Sequence, residues 1–156
     1  MQASGERLLI VKTSSMGDVV HAAPLAADLA RRFPSAAIDW LVEEGFAAIP
    51  RMHRSVDCVI TVAVRRWRRA PLAASTWREV RAAREQLRAH RYSAILDCQG
   101  LLKSAWMARW ARGPRWGFDR ASARRSFTDC AGTAGCTTRM SGVLAARLTG
   151  AKSRSG

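Results

Sequence analysis

Polar side chains crowd into the short stretch KTSSMGD, residues 12–18, which lies between two apolar runs. Its Gly17 would let the backbone approach a ligand closely, and the amides of a helix that begins here would favour an anion. Ser15 or Asp18 can cap that helix, while Asp18 at a cleft can also accept a proton from an attacking hydroxyl. A single glycine fits neither the P-loop spacing nor the dinucleotide-binding fingerprint. The residue types alone leave capping and proton transfer open.

A second set of candidate side chains lies in the basic stretch RRWRR, which directly follows an apolar run rich in β-branched residues. Arginine presents a planar fork that binds carboxylate or phosphate through two hydrogen bonds. A charge run of this kind is ordinarily a solvated loop, and the interleaved Trp67 also suits nucleic-acid binding by base stacking. The candidate anion ligands are Arg65, Arg66, Arg68 and Arg69.

The apolar pattern predicts the elements that must position these side chains. Strands are expected at 8–12, 36–44, 58–64 and 93–100, and helices at 19–31, 76–90 and 103–112. Strands that alternate with helices predict an α/β fold, with a parallel sheet covered by helices on both faces. The turns at 12–18 and 97–104 (DCQGLLKS) then lie at the carboxyl ends of strands, where such sheets bind ligands.

Three local signals refine this prediction. Pro24 is expected in the first turn of its helix, which requires that helix to begin late. Thr76 and Glu79 have the spacing of a capping box. His21 lies among apolar residues and is expected to be packed rather than catalytic.

Composition limits the class of protein. The 156 residues include 26 Lys and Arg but only 12 Asp and Glu, a net charge of +14 that attracts nucleic acid, anionic lipid or a phosphorylated substrate. The sequence has no apolar run of about 18 residues and no signal-peptide pattern, which predicts a cytoplasmic protein. Its four cysteines form no C-x-x-C pair, so reduced thiols are expected rather than a zinc site.

The character of the chain changes near residue 120. From there to the end it holds seven Lys and Arg against one acid, Asp129, and it is rich in Gly, Thr, Ser and Cys without a clear period. We therefore predict a folded domain over 1–124 and an irregular, poorly ordered tail over 125–156.

Several motifs resemble the N-terminal half of the lipopolysaccharide heptosyltransferase I family, which belongs to glycosyltransferase family 9. The likeness runs from about Leu8 to Arg124 and keeps the family's order and spacing. The family consists of inverting glycosyltransferases of the GT-B type, in which two Rossmann-like domains face a cleft. The resemblance implies a single Rossmann-like, acceptor-binding domain here. The motifs are LLIVKTSSMGDVVHAAPLAADLA, IDWLVEEGFAAIP, VAVRRWRR, YSAILDCQGLLKSA and ARGPRWGFDRASAR.

The resemblance also implies a reaction and roles for residues. The family transfers L-glycero-D-manno-heptose from ADP-L-glycero-β-D-manno-heptose to the Kdo sugar of Kdo-lipid A, without a metal or other cofactor, peripherally on the cytoplasmic face of the inner membrane. Asp18 matches the proposed general base of the family. The matching acceptor-binding positions are Arg65, Arg66, Arg68, Arg69, Arg124 and, facing the same cleft, Lys103.

The likeness to the family fades after SARR, residues 122–125, and we expect the second, donor-binding domain of the family to be missing. A shift of reading frame would explain the change in composition. The resemblance then implies impaired binding of ADP-heptose and negligible transfer by this chain alone. Two other functions stay open: a non-catalytic module that binds the lipid A anion, and a basic nucleic-acid-binding protein. The second is disfavoured, because the acceptor loop and the tail account for the basic residues.

Overall fold

The structure is a computed structural model of the chain, and it describes residues 6–99 and 102–117. Its centre is a five-stranded parallel sheet with the order β3-β2-β1-β4-β5. The strand order reverses beside β1, as in Rossmann-like folds. The predicted α/β class and parallel sheet are confirmed. The strands are β1 (Arg7–Val11), β2 (Ala37–Glu43), β3 (Cys58–Val62), β4 (Ala94–Asp97) and β5 (Arg115–Gly117).

Helices cover both faces of this sheet, and β1 is therefore buried on both sides. Leu8 and Ile10 pack towards the first helix, whereas Leu9 and Val11 pack towards the fourth and fifth helices. All four side chains are fully buried, and each contributes about 1.5–3 kcal/mol through removal of apolar surface from water. The helices are α1 (Met16–Arg32), α2 (Ala48–Arg51), α3 (Val64–Trp67), α4 (Ala74–Ala89) and α5 (Leu102–Ala108), with a short 3₁₀ turn at Glu44–Phe46.

Helix α1 begins earlier than the sequence predicted. It starts at Met16, so Pro24 lies inside the helix and the expectation of a late start was wrong. Pro24 and Val20, whose carbonyl a residue at 24 would normally bond, are both exposed, so water can solvate that carbonyl. His21 is also exposed rather than packed, because it lies on the same outer side of the helix.

The capping box predicted for α4 was also wrong. The helix begins at Ala74, and the Thr76 hydroxyl donates a hydrogen bond to the carbonyl of Ala70, 2.8 Å away, in the turn before the helix. Glu79 bonds to the basic stretch instead. The spacing of a capping box was present, but the preceding turn had already started the helix. Other predicted bounds differ by a few residues, and β5 was not predicted, since three residues give little periodic signal.

Gly113 allows the chain to enter β5. Its φ is +154°, a conformation that favours glycine, and a Cβ atom placed there would lie 2.2 Å from the carbonyl oxygen of Tyr92. The segment before β5 therefore runs directly against the segment before β4, where Arg91 and Arg112 form an isolated parallel bridge.

A buried carboxylate joins β2 to its neighbours. Asp39 is fully buried, and its two oxygens bind Arg7 Nη1 at 2.7 Å and the Tyr92 hydroxyl at 2.9 Å. A buried charge is tolerated only when it is paired and hydrogen-bonded, and these two donors satisfy that requirement. Burial, followed by the charge of Asp39, raises the pKa of Tyr92 well above its ordinary value.

The sequence contains one tyrosine, so its ionisation can be followed by absorbance near 295 nm. We predict no absorbance transition near pH 10 in the native protein and a transition at about pH 10 in guanidinium chloride. The pKa of Tyr92 is higher in the folded protein than in the unfolded chain, so Tyr92 contributes its full stabilisation below the unfolded pKa. That contribution is lost as the pH rises from the unfolded pKa towards the folded one. Tyr92→Phe should lower the free energy of unfolding by about 1–3 kcal/mol at pH 7. Native titration near pH 10 would contradict this prediction.

Candidate functional site

The two turns singled out in the sequence meet at the carboxyl edge of the sheet. Strands β1 and β4 are parallel neighbours, with Val11 paired to Asp97, so the residues that follow them emerge side by side. The amide of Cys98 donates to the carbonyl of Val11 at 3.0 Å. The predicted placement of both turns at the carboxyl ends of strands is therefore confirmed for the described part of the second turn.

Gln99 holds these two turns together. Its side-chain oxygen accepts hydrogen bonds from the amides of Thr13 and Ser14, at 2.9 and 3.1 Å, and its side-chain nitrogen donates to the Ser14 carbonyl at 2.6 Å. One amide side chain thus satisfies three backbone groups that no strand or helix could pair. Sequence reasoning assigned Gln99 no role, although a polar residue directly after a buried strand was a usable signal.

Asp18 caps helix α1. Ser15 is the N-cap residue, and its amide and hydroxyl donate to Asp18 Oδ2 at 2.8 and 2.9 Å. This is the carboxylate half of a capping arrangement, as the sequence allowed. The other oxygen, Oδ1, lies 3.9 Å from Lys12 Nζ, and the Asp18 side chain is 29% exposed. Capping therefore engages one oxygen and leaves the second at the rim of the site.

The surroundings of Asp18 keep it ionised. Partial burial would raise its pKa, but the hydrogen bonds from Ser15, together with the charges of Lys12 and His21, lower it below its usual range. An acid at a helix N-terminus also gains from the helix dipole. The site thus holds a carboxylate that is negative at neutral pH and reachable from solvent.

The buried side chain of Lys12 stabilises the turn that contains Asp18. It is almost fully buried, and its ammonium group donates to the Cys98 carbonyl at 3.0 Å. Its own carbonyl accepts a hydrogen bond from Trp40 Nε1 at 3.2 Å. Lys12 therefore ties β1, β2 and β4 together and places a positive charge beneath Asp18, a role that residue type alone did not reveal.

Glu43 positions the basic stretch at the same edge of the sheet. It ends β2, is almost fully buried, and its carboxylate accepts hydrogen bonds from the amides of Val64 and Arg65 at 3.3 and 3.1 Å. An acid at the start of α3 satisfies amides that have no partner within the helix. The basic stretch therefore begins at a fixed point, two strands away from the Asp18 turn.

Arg66 and Trp67 both bind carboxylates of this chain, although Arg66 is exposed and Trp67 is buried. The Arg66 guanidinium binds Glu44 Oε2 at 2.9 Å and Glu79 Oε1 at 2.7 Å, and hydrogen bonds to Glu44 first and Glu79 second raise its pKa. Trp67 is buried, and its Nε1 donates to Glu79 Oε2 at 2.7 Å. Trp67 is consequently not a free stacking surface for a base.

The other three arginines of the stretch face solvent. Arg65, Arg68 and Arg69 are exposed, and no carboxylate within residues 6–99 and 102–117 forms an ion pair with them. The Arg65 guanidinium lies 5.5 Å from the centre of the Phe46 ring, a cation–π contact. These side chains are available to an anion at the carboxyl edge.

The remaining predicted residues are less fully placed. Lys103 lies in the first turn of α5, which follows β4 at this edge. Arg124 and the predicted boundary at 124 lie outside the described residues. Over the part of the chain that the structure describes, no helix is long and apolar enough to span a membrane, and no three His, Cys, Asp or Glu side chains cluster as metal ligands.

Curated relatives match about three-quarters of this chain. The sequence model of glycosyltransferase family 9 (heptosyltransferase) matches residues 80–131. Lipopolysaccharide heptosyltransferase 1 of Escherichia coli K12 is 50% identical over 119 residues, which cover 76% of this chain and 37% of that protein. The enzyme of the same name from Pseudomonas aeruginosa is 48% identical, with coverage of 76% and 34%. The chain therefore spans little more than a third of these relatives.

Solved structures give the same relationship. Escherichia coli heptosyltransferase WaaC with ADP-2-deoxy-2-fluoro heptose superposes with a TM-score of 0.76 at 39% identity, covering 96% of this chain and 50% of that one. The same enzyme with ADP gives 0.70 at 51% identity, covering 72% and 36%. A family 9 glycosyl transferase from Veillonella parvula, at 13% identity and a TM-score of 0.60, covers 77% and 37% and supports the fold alone.

Gln99→Ala tests the junction of the two turns. Loss of three hydrogen bonds to backbone groups should lower the free energy of unfolding by about 1–3 kcal/mol. The amides of Thr13 and Ser14 should exchange with solvent faster in hydrogen-exchange measurements, while those of α4 keep their rates. Gln86→Ala, on the exposed side of α4, is the control for loss of a glutamine side chain. Unchanged exchange at both amides would contradict the role of Gln99.

Proposed function

The chain belongs to glycosyltransferase family 9 over the part that its relatives match, and we propose that it forms the acceptor-binding domain of an inverting heptosyltransferase of lipopolysaccharide biosynthesis. The observation that carries the proposal is the ionised Asp18, held at the carboxyl edge of the sheet with one oxygen unengaged by its cap. The sequence identity of 50% to a curated heptosyltransferase supports the reaction class.

The proposed reaction joins heptose from ADP-L-glycero-β-D-manno-heptose to a hydroxyl of the Kdo sugar in Kdo-lipid A. Asp18 accepts the proton of that hydroxyl, and the oxygen attacks the anomeric carbon from the face opposite ADP. The bond from this carbon to the ADP oxygen breaks, and its electron pair leaves with ADP, so the configuration is inverted. We assign the proton to Oδ1, since Oδ2 already accepts two hydrogen bonds from Ser15.

Arginines at the same edge would hold the acceptor. Carboxylates of Kdo and phosphates of lipid A are planar or tetrahedral anions that match guanidinium forks. Arg65, Arg68 and Arg69 are the direct ligands in this proposal, and Lys103 and Arg124 are further acceptor contacts. Arg66 already binds two carboxylates, so we assign it to positioning the stretch.

The proposed partner places the domain at a membrane surface. Kdo-lipid A is a lipid, so the domain would work in peripheral contact with the cytoplasmic face of the inner membrane. Transfer also needs a donor bound within reach of Asp18, and holding two reactants together supplies much of the rate. The matched part covers 37% of the Escherichia coli enzyme, so we propose that a complementary domain must bind ADP-heptose, without a metal or other cofactor.

A chimera tests the role of Asp18. The chain through residue 117, fused to the C-terminal part of the Escherichia coli K12 enzyme, should transfer heptose from ADP-heptose to Kdo-lipid A, whereas this chain alone should give negligible product. Asp18→Asn in the chimera should lower kcat by about 10²–10⁴-fold. Asp28→Asn, which removes an acid paired with Arg31 on the same helix, is the control and should keep activity. Transfer at full rate by the Asp18 variant would contradict the proposal.

A non-catalytic lipid A-binding module is the second candidate, favoured by the three exposed arginines. Arg65→Ala with Arg68→Ala should weaken binding of the chain to Kdo-lipid A by at least about tenfold, because two charge-assisted contacts are lost. Arg81→Ala with Arg84→Ala on α4 removes the same charge elsewhere and should have little effect. Binding without transfer in the chimera would favour this candidate. An equal loss of duplex DNA binding and lipid A binding would instead favour a general polyanion site.

A further inference from the structure

A cavity of about 440 Å³ opens at the amino edge of the sheet, opposite the candidate site. It lies where α4 ends and where the segments before β4 and β5 run side by side. Its volume is within the range of small-ligand sites. The lining residues are Arg88, Ala89, His90, Arg91, Arg112 and Gly113.

The lining of this pocket is strongly basic and contains no acid. Arg88, Arg91 and Arg112 are exposed, and within the described ranges no carboxylate forms an ion pair with any of them. Like charges around one cavity repel each other, and a bound anion would relieve that repulsion. The positive charge of the three arginines is thus not compensated by an acid in the pocket lining, which favours binding of an anion.

The backbone holds two of these residues, Arg91 and Arg112, at a fixed spacing. Residues 91 and 112 form a parallel bridge, and the Tyr92 amide donates to the Arg112 carbonyl at 2.8 Å. Gly113 brings the two segments into this contact, because a side chain there would collide with Tyr92. Groups that are positioned before binding lose less entropy when the ligand arrives.

Helix chemistry explains only part of the cluster. A base near the C-terminus of α4 complements the negative end of the helix dipole, which accounts for Arg88. Arg112 comes from a separate segment, 24 positions further along the chain by its number, and is not part of that helix. Its presence on the same cavity wall requires another explanation, and an anionic ligand provides one.

We propose that this pocket binds a phosphate-type anion through Arg88, Arg91 and Arg112. Guanidinium forks bind phosphate oxygens in pairs, and three of them suit a group with several charged oxygens. The phosphate can belong to a soluble compound or to a lipid headgroup. The pocket is separate from the candidate acceptor site, so this proposal does not rest on the proposed heptosyl transfer.

The test uses the full chain and two probes. Isothermal titration with inorganic pyrophosphate measures a soluble source, and co-sedimentation with phosphatidylcholine vesicles containing phosphatidylglycerol measures a lipid source. Arg91→Gln with Arg112→Gln should weaken binding of at least one probe by at least about tenfold. Arg54→Gln with Arg78→Gln removes two exposed arginines elsewhere and should change it by less than about twofold.

The single variant Arg88→Gln changes an exposed residue in the last turn of α4. It should also weaken binding, and it tests the pocket even if the double variant does not fold. Near-UV circular dichroism verifies that each variant keeps native packing. Pocket-specific loss with either probe supports the proposal and identifies the source of phosphate. Binding of neither probe, or equal losses in the pocket and control variants, would overturn it. Heptosyl transfer by the chimera should be unaffected by all of these changes.

Discussion

Parallel pairing of β1 with a neighbour on each side is the constraint on which the rest of this structure depends. Val11 is paired with Leu41 on one side and with Asp97 on the other, so three strands end at one edge. Because the strand order reverses beside β1, the connecting helices leave to opposite faces and open a crevice between them. Every polar group assigned to the candidate site, from Lys12 to Gln99, stands on this edge.

Carboxylates do most of the positioning of a very basic chain. Glu43 fixes the start of α3, and Glu79 bonds to both Arg66 and Trp67, so the second basic residue of the stretch is paired with acids of the chain itself at the surface. The same stretch thus separates into Arg66 and Trp67, which bind acids of this chain, and three exposed arginines that form no ion pair within the described residues. Net charge alone overstates how many bases are free, because acids placed at element ends bind some of them first.

The sequence predicted a parallel sheet, four of its five strands, its three longest helices and the strand ends that carry the turns, because these depend on periodic burial and on the geometry of parallel strands. It did not predict the interactions within that edge. Gln99 bonds to Thr13 and Ser14, which lie 86 and 85 positions away, and nothing local marks such a partner. The capping box at Thr76 failed for a related reason, since an upstream turn decided where the helix began. Asp18 takes the capping role that its residue type had allowed and keeps one oxygen outside the cap.

The close approach at Gly113 has a consequence for how this domain can diverge. Because its backbone angle favours glycine and the Tyr92 carbonyl occupies the space beside it, a single substitution at 113 cannot be absorbed by rotation of a side chain. Replacement would require the segments before β4 and β5 to separate together. Position 113 therefore accommodates a side chain only if the path of the chain before β4 and β5 changes with it.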